Sequence, residues 1–255
     1  MKTKNIKWLN ISLSIITIVG LISIWAISSI IVNENLILPS PFLAFGEMFK
    51  LLGEGGFWLS LLGSLGRALI AFLISFVLGL GLAILVKFSK ISQPIINIIV
   101  ALIRAIPTIA VVLLLLLWTN SKVASVVVTM LVVLPTMFSL MRVALDKIDN
   151  EILDMCKLYN LPKKVIFSKY IIPSILPHVL SGMGSTLSLN IKLIVASEVL
   201  AGTAKSIGNL MLQAKTYFET SRLFALVIIM IIVAVTIEML FNLISSKVGK
   251  IYGVK

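Results

Sequence analysis

The chain has 255 residues, of which 59% are hydrophobic and 13% are charged. This composition is too apolar for a soluble domain of that length, and it predicts an integral membrane protein. The formal net charge of +12 has the sign that nucleic acid attracts. However, the basic residues flank apolar runs and are not interleaved with stacking aromatic residues, so we expect no nucleic-acid surface. Lysines in those positions contact the head groups of the lipid bilayer instead.

Cys156 is the only cysteine of the chain and His178 is its only histidine. A lone cysteine excludes an internal disulfide. No cluster of histidine, cysteine and carboxylate residues has the spacing of a zinc site. We therefore expect no metal site, and we interpret both residues as packing residues.

The first apolar run, Leu9–Val32, is uncharged and long enough to cross a hydrocarbon core roughly 30 Å thick. It is too long for the core of a signal peptide and lacks a small-residue cleavage site, so we predict a retained helix. Pro41–Leu52 then predicts a short interfacial helix, because its phenylalanines fall on one face.

Three further spans are predicted at Trp58–Val86, Pro94–Trp118 and Val123–Ala144. The first of these is interrupted by Arg67. Pro107 falls inside the second and lacks the N–H that would bond one turn back, so a kink or break is expected there.

The fifth span, Val179–Ala201, contains Asn190, Lys192 and Glu198, and the last runs from Arg222 to Ser245. The segment 202–221 between them is polar and short. Lysines and arginines are enriched on alternate segments, and by the positive-inside rule this places both termini in the cytoplasm. The sequence thus predicts an all-α, polytopic membrane protein with about six transmembrane helices.

Three regions follow from this map. Residues 1–33 would form an N-terminal cytoplasmic tail and the first transmembrane helix, and 34–246 a core transmembrane domain. That core includes a cytoplasmic loop at about 147–178, and 247–255 would be a cytoplasmic tail.

The cytoplasmic loop is the longest polar interval of the chain, and it predicts two short helices with a hinge. In the first helix an apolar stripe is formed by Ile152, Met155, Cys156 and Tyr159. Asn160 stands where helices often end in a left-handed residue. Pro162 opens a second helix, which Pro173 and Pro177 are expected to end near Ile172.

This loop resembles the EAA loop of the permease subunits of bacterial ABC importers. Their pattern is Glu-Ala-Ala, three residues, Gly, nine residues, and then Ile, any residue, Leu and Pro. Here Asp154-Met155-Cys156 is followed by Asn160 at the glycine position and by Tyr170-Ile171-Ile172-Pro173. The spacing is kept, although only the proline is identical.

The resemblance extends over roughly Leu38–Leu240 and points to the nitrate, sulfonate and taurine group of these importers. That group also includes importers of pyrimidine precursors and riboflavin. The segments that carry it are Leu38-Pro39-Ser40-Pro41, Ser64-Leu65-Gly66-Arg67, Arg104-Ala105-Ile106-Pro107, Trp118 and Ala196-Ser197-Glu198-Val199-Leu200.

The resemblance implies a type I ABC importer permease fold in the bacterial inner membrane. It implies four partners: an ATP-binding-cassette ATPase subunit, a second permease copy, an extracytoplasmic substrate-binding protein and the bilayer. ATP and Mg²⁺ would be bound by the ATPase, since this chain has no phosphate-binding Gly-x-x-x-x-Gly-Lys-Ser/Thr loop and is expected to have no catalytic activity and no cofactor. The coupling residues would be Glu151, Asp154, Met155, Cys156, Tyr159, Asn160 and Pro173.

Charged and helix-breaking residues inside the spans predict the translocation path: Arg104, Pro107, Lys192 and Glu198. For Lys192 the alternative is a structural bond to the carbonyls of a neighbouring helix. Glu198 lies near the outer end of its span, so its alternative is contact with lipid head groups. The six-residue separation makes direct pairing of Lys192 with Glu198 unexpected on a straight helix.

Two other functions fit parts of the sequence. A secondary transporter or channel that acts without an ATPase would also place Arg104 and Lys192 in the membrane, but such transporters usually show two matching halves, which are absent here. A membrane scaffold with no transport role is the third possibility. The residues do not name a substrate: a sulfonate- or nitrate-like anion and a vitamin precursor both remain open.

Overall fold

The computed structural model describes the backbone of residues 2–89 and 91–251, and the side chains of 12–89, 91–156 and 158–249. Lys90 and the tail residues 252–255 lie outside the described residues, as does the side chain of Lys157. The helices are α1 (Lys2–Val32), α2 (Pro41–Gly53), α3 (Gly55–Phe88), α4 (Ser92–Ala105), α5 (Thr108–Trp118), α6 (Ser121–Asp146), α7 (Asn150–Leu158), α8 (Lys163–Ile166), α9 (Ile172–Ala201), α10 (Ile207–Thr216) and α11 (Thr220–Ile251).

The described part of the chain is all-helical, which confirms the predicted fold class. Five of its helices are long and apolar enough to cross a membrane, and α4 with α5 forms a sixth span if the pair is taken together. The prediction of about six spans is therefore confirmed.

The third span is broken at the predicted position. The axes of α4 and α5 meet at 88°. Ile106, the residue before the proline, is extended with φ −71° and ψ 126°, because the proline ring disfavours the helical conformation in its predecessor. Neither helix is long enough to cross the membrane alone, so the chain changes direction within it.

The prediction that Pro173 and Pro177 end the second loop helix is wrong. A π-helical turn at Phe167–Ile171 joins α8 to α9, and the amide of Ile172 donates to the carbonyl of Phe167. Pro173 then occupies the first turn of α9, where a missing N–H costs nothing. Pro177 is buried inside the same helix, so α9 extends several residues further inward than predicted.

One compact unit falls within Met1–Trp58 and Leu210–Ile229. The helix α2 begins at Pro41, and the hydroxyl of Ser40 caps it by accepting a hydrogen bond from the amide of Leu43. The indole of Trp25 stacks on Phe224 with a centroid separation of 5.5 Å. Arg222 forms a two-pronged ion pair with Glu54, with the shorter contact at 2.7 Å.

The second unit falls within Leu59–Asn209 and Met230–Lys255. Its apolar core centres on α6, where Met137, Phe138 and Met141 are buried against α3 and α4. Gly79 of α3 meets the backbone of Phe138 so closely that a Cβ would lie 3.0 Å from its nitrogen. This close approach of two helices through a small residue is typical of membrane bundles.

Candidate functional site

The loop at 147–178 has the hinge that the sequence predicts. α7 ends at Leu158, and Asn160 adopts a left-handed conformation with φ 51°. The amide of Leu161 bonds back to the carbonyl of Cys156 at 3.1 Å, which closes the helix end. An extended Pro162 then leads into α8. The hinge therefore follows from the local chemistry of Asn160, Leu161 and Pro162.

α7 presents an apolar patch to its surroundings. Ile152, Met155, Leu158 and Tyr159 are all exposed, with Tyr159 at 72%. Cys156 is only half-buried, and Glu151, Asp154 and Asn160 are exposed around the patch. Pro173 lies half-buried at the start of α9. An exposed apolar surface of this kind on a polar loop is suited to protein contact.

Tyr170 fixes the two ends of the loop to each other. Its hydroxyl donates to the carbonyl of Asp149 at 3.1 Å and accepts from the amide of the same residue at 3.0 Å. The sequence does not predict this role for Tyr170, which stands where the family pattern has isoleucine. Tyr170 places a hydroxyl where the family pattern has an apolar side chain. This difference could have indicated the role, because a tyrosine hydroxyl near a polar backbone usually forms a hydrogen bond.

Arg104 lies at the last turn of α4, one turn before the break at Pro107. Its Nη2 donates to the Oγ of Ser139 at 2.7 Å and to the carbonyl of Pro135 at 3.2 Å, both on α6. A cation at a helix C-terminus is favoured by the helix dipole. The guanidinium is thus held between two helices of the same unit while the residue stays exposed.

Lys192 is exposed on α9, and none of the described residues bonds its ammonium group. The alternative of a structural bond to neighbouring carbonyls is therefore not seen within the described chain. Asn190, two residues earlier, points elsewhere: it is fully buried and donates to the carbonyl of Ala68 at 2.8 Å. Lys192 thus presents an unpaired cation within a helix that is long enough to span the membrane.

Glu198 is fully buried, so the alternative that it reaches lipid head groups is wrong. Its Oε1 accepts from Nε of Arg67 at 2.7 Å, and its Oε2 accepts from the hydroxyl of Ser64 at 2.7 Å and from the amide of Gly208 at 3.3 Å. All three of these hydrogen bonds hold the carboxylate to other parts of the same unit. As expected, Glu198 does not pair with Lys192.

The sequence does not predict the partnership of Arg67 with Glu198, although both are charged residues inside predicted spans. Their positions could have indicated the pair. Each residue lies in the outer part of its own predicted span, and opposite charges at the same depth of a membrane tend to pair. The sequence likewise predicts no partner for Arg142, which lies near the inner end of the span Val123–Ala144. Its Nη1 donates to the Oδ1 of Asn97 on α4 at 3.0 Å.

Residues 75–250 match the family described as "Binding-protein-dependent transport system inner membrane component". The match covers more than half of the chain, so the chain belongs to this family. It is a non-catalytic, multi-pass permease subunit of an ABC importer in the inner membrane. The family acts with an ATPase and a substrate-binding protein. A secondary transporter or channel that acts alone does not fit this membership, and neither does a scaffold.

Two relatives align over most of the chain. The putative aliphatic sulfonates transport permease protein SsuC of Bacillus subtilis is 26% identical over 234 residues, which is 90% of this chain and 84% of the relative. The taurine transport system permease protein TauC of Escherichia coli is 21% identical over 251 residues, covering 94% and 91%. These matches confirm the resemblance to the sulfonate and taurine group.

Solved structures show the same fold. An inward-facing structure of the MetNI methionine ABC transporter matches with a TM-score of 0.64 at 17% identity, covering 75% of this chain and 96% of that one. A structure of an amino acid ABC transporter matches with a TM-score of 0.56, covering 73% and 89%. The type I importer permease fold is therefore confirmed.

Proposed function

We propose that this permease carries a small organic anion with a sulfonate head group, that two copies of the chain enclose the path, and that the loop at 147–178 couples it to the ATPase. The observation that supports the substrate class most directly is the unpaired cation Lys192, exposed within a membrane-spanning helix. The ATPase would bind ATP and Mg²⁺, and a binding protein would deliver the solute from outside.

A cation in this position argues against a surface covered by lipid. A charged side chain near the centre of a bilayer costs about 3 kcal/mol or more, so such residues face water-filled cavities or partners. No carboxylate among the described residues pairs with Lys192. An anionic solute that passes it would supply the missing charge. The named cargoes of the two relatives, aliphatic sulfonates and taurine, both carry a sulfonate group.

The exposed face of α9 supports a path between two copies. One stripe of its exposed residues contains Ser181, Ser185, Leu189, Lys192, Ala196 and Leu200. The exposed face of α3 in the same unit is instead made of large apolar residues such as Leu62, Leu69 and Val77. The α3 face is typical of lipid contact, whereas small and polar residues with a cation are typical of a face that meets protein or water.

The coupling role of the loop is supported by the apolar patch of α7. Ile152, Met155 and Tyr159 are exposed in a segment that lies between two membrane spans. Aromatic and methionine side chains that are exposed together are frequent anchors of protein interfaces. The surrounding Glu151 and Asp154 would set the register of the contact with the ATPase.

The test is reconstitution of the permease with its ATPase and binding protein in liposomes. We expect ATP-dependent uptake of radiolabelled ethanesulfonate that taurine inhibits and propionate, a carboxylate of similar size, does not. Uptake that requires neither ATP nor the ATPase would contradict the coupled mechanism. ATP-dependent uptake of a neutral or cationic solute, with no inhibition by sulfonates, would contradict the proposed substrate class.

A further inference from the structure

A groove of about 510 Å³ lies between α4 and α6 of the second unit. Its walls combine two guanidinium groups with an amide and a hydroxyl, and its lining includes Asn97, Val100, Arg104, Phe138, Ser139 and Arg142. No carboxylate is among the residues that line it. The groove is therefore a concave site with two formal positive charges and no protein countercharge.

The two guanidinium groups are held in place, but most of their donors remain free. Arg104 uses Nη2 for its bonds to Ser139 and Pro135, and Arg142 uses Nη1 for its bond to Asn97. A guanidinium carries five N–H donors. Neither residue has an ion-pair partner among the described residues, so the remaining donors of both are available to a ligand.

The position of the groove along its helices places it in one half of the membrane. Asn97 and Arg104 lie about 8 Å and 18 Å along α4 from Ser92, at a rise of about 1.5 Å per residue. Arg142 lies about 6 Å before the end of α6 at Asp146. Both of these helix ends are predicted to be cytoplasmic, so the groove extends from the cytoplasmic side to about the middle of the membrane. Lys192 is about 14 Å from the predicted outer end of α9 at Ala201.

We infer that Arg104 and Arg142 form an oxyanion-binding site on the cytoplasmic side of the path, and that it receives the sulfonate head group after Lys192. This inference rests on the anionic substrate proposed above. A tetrahedral sulfonate offers three oxygens, and forked guanidinium donors bind such groups through paired hydrogen bonds. Asn97 and Ser139 act as positioning residues, because each holds one guanidinium toward the groove.

An anionic lipid head group offers the same oxyanion chemistry from a different source, since the cytoplasmic leaflet is the negatively charged one. The experiment therefore uses the assembled permease–ATPase complex in nanodiscs, prepared once with phosphatidylcholine alone and once with added phosphatidylglycerol. Equilibrium binding of radiolabelled ethanesulfonate, and of radiolabelled inorganic sulfate, is measured in both preparations. The variants are Arg104→Gln, Arg142→Gln and Arg142→Lys, and Lys215→Gln, an exposed cation in the other unit, is the control.

We expect saturable binding of ethanesulfonate in both preparations. Each Arg→Gln variant should weaken it by about tenfold or more, and Lys215→Gln should leave it unchanged. Arg142→Lys should bind ethanesulfonate more tightly than Arg142→Gln does, because lysine keeps the positive charge but lacks the paired N–H donors of the guanidinium. Co-purification of the ATPase shows that each variant is assembled, and Arg142→Lys preserves the test if Arg142→Gln fails to assemble.

Unchanged binding in both Arg→Gln variants overturns the site. Absence of both ethanesulfonate and sulfate binding in phosphatidylcholine also overturns it. Loss of the binding of both anions when phosphatidylglycerol is added assigns the groove to a lipid head group and overturns the proposal as well. The proposed substrate class fails separately. If ethanesulfonate is not imported but sulfate binding still depends on both arginines, the oxyanion site is supported and the proposed substrate class is not. If both Arg→Gln variants import ethanesulfonate like the wild type, the proposed substrate class is supported and the oxyanion site is not.

Discussion

Arg67 and Glu198 form an ion pair across two helices of the same unit, with 2.7 Å between Nε and Oε1. Glu198 is fully buried, and the Arg67 side chain is only 12% exposed. The hydroxyl of Ser64 joins the pair by donating to the carboxylate at 2.7 Å and accepting from the amide of Ile207 at 2.9 Å. Arg67 also donates to the carbonyl of Lys205 at 3.2 Å. The pair therefore ties the segment that follows α9 back onto α3.

Replacing Glu198 with glutamine should destabilise the permease, because it leaves the charge of Arg67 uncompensated in a dry site. Loss of one partner of a buried pair costs about 3–5 kcal/mol. We expect a large fall in the thermal midpoint of the detergent-solubilised protein, measured by size-exclusion fluorescence after heating. Glu219→Gln is the control, since Glu219 is half-exposed and lies 3.9 Å from its partner. If the two variants melt alike, the buried pair does not stabilise the fold.

Gly208 should not tolerate alanine. A Cβ there would meet the Cβ of Glu198 and lie 2.7 Å from the backbone nitrogen of Val199, which is a contact that real structures do not show. We expect Gly208→Ala to lower the thermal midpoint in the same assay. Gly46→Ala is the matched control, because Gly46 is also helical and has nothing within 4 Å of its added Cβ. Alanine at position 46 should be neutral or slightly stabilising. If Gly208→Ala is as stable as the wild type, the backbone around position 208 shifts to accommodate the added Cβ at little cost.

If the loop at 147–178 docks the ATPase as proposed, changing Tyr159 or Asn160 should weaken ATPase binding. Tyr159→Ala removes a side chain that is 72% exposed, and Asn160→Pro forces φ to near −65° where the structure has 51°. Interface anchors contribute about 2 kcal/mol or more, which is roughly thirtyfold in affinity. The measurement is the affinity of the purified permease for the ATPase subunit.

Two variants control this experiment. Tyr217→Ala removes an equally exposed tyrosine, also 72%, from the segment predicted to lie outside. Asn160→Gly keeps access to the left-handed conformation. Both should bind the ATPase as the wild type does. Wild-type binding by Tyr159→Ala and Asn160→Pro as well would mean that the ATPase docks elsewhere.

Lys192→Met should reduce transport while leaving the complex assembled. Methionine keeps much of the length of the side chain and removes its charge. If Lys192 holds the anion in the path, uptake of ethanesulfonate by the reconstituted importer should fall by about tenfold or more. Lys215→Met, which removes an exposed cation outside the predicted path, is the control. Full uptake by Lys192→Met would refute the path role, and loss of the assembled complex would favour a structural one.

The predicted orientation is tested by labelling single cysteines with a reagent that does not cross the membrane. In a Cys156→Ala background, Lys215→Cys should be labelled from outside intact cells, and Lys164→Cys only after the cells are opened. Both side chains are exposed, so accessibility alone does not separate them. Labelling of Lys164→Cys in intact cells would contradict the predicted orientation, because it would place the loop at 147–178 outside.

The sequence by itself determined the spans, the broken third span and the hinge of the loop. Each depends on local physics: the length of an apolar run against the thickness of a bilayer, the missing N–H of Pro107, and the ease with which Asn160 adopts a positive φ. The helix α10 was missed, since a short polar segment has no strong periodicity to reveal it.

The partners of the intramembrane charges were decided only by the tertiary structure. Glu198 and Arg67 are 131 residues apart in the chain, and nothing local in either segment specifies which helix the other will meet. Pro173 does not end the helix, because the π-helical turn before it places the proline in the first turn of α9, and the apolar periodicity does not reveal that turn. The groove with Arg104 and Arg142 exists only because α4 packs against α6, and packing between distant helices depends on the whole bundle and not on any one segment.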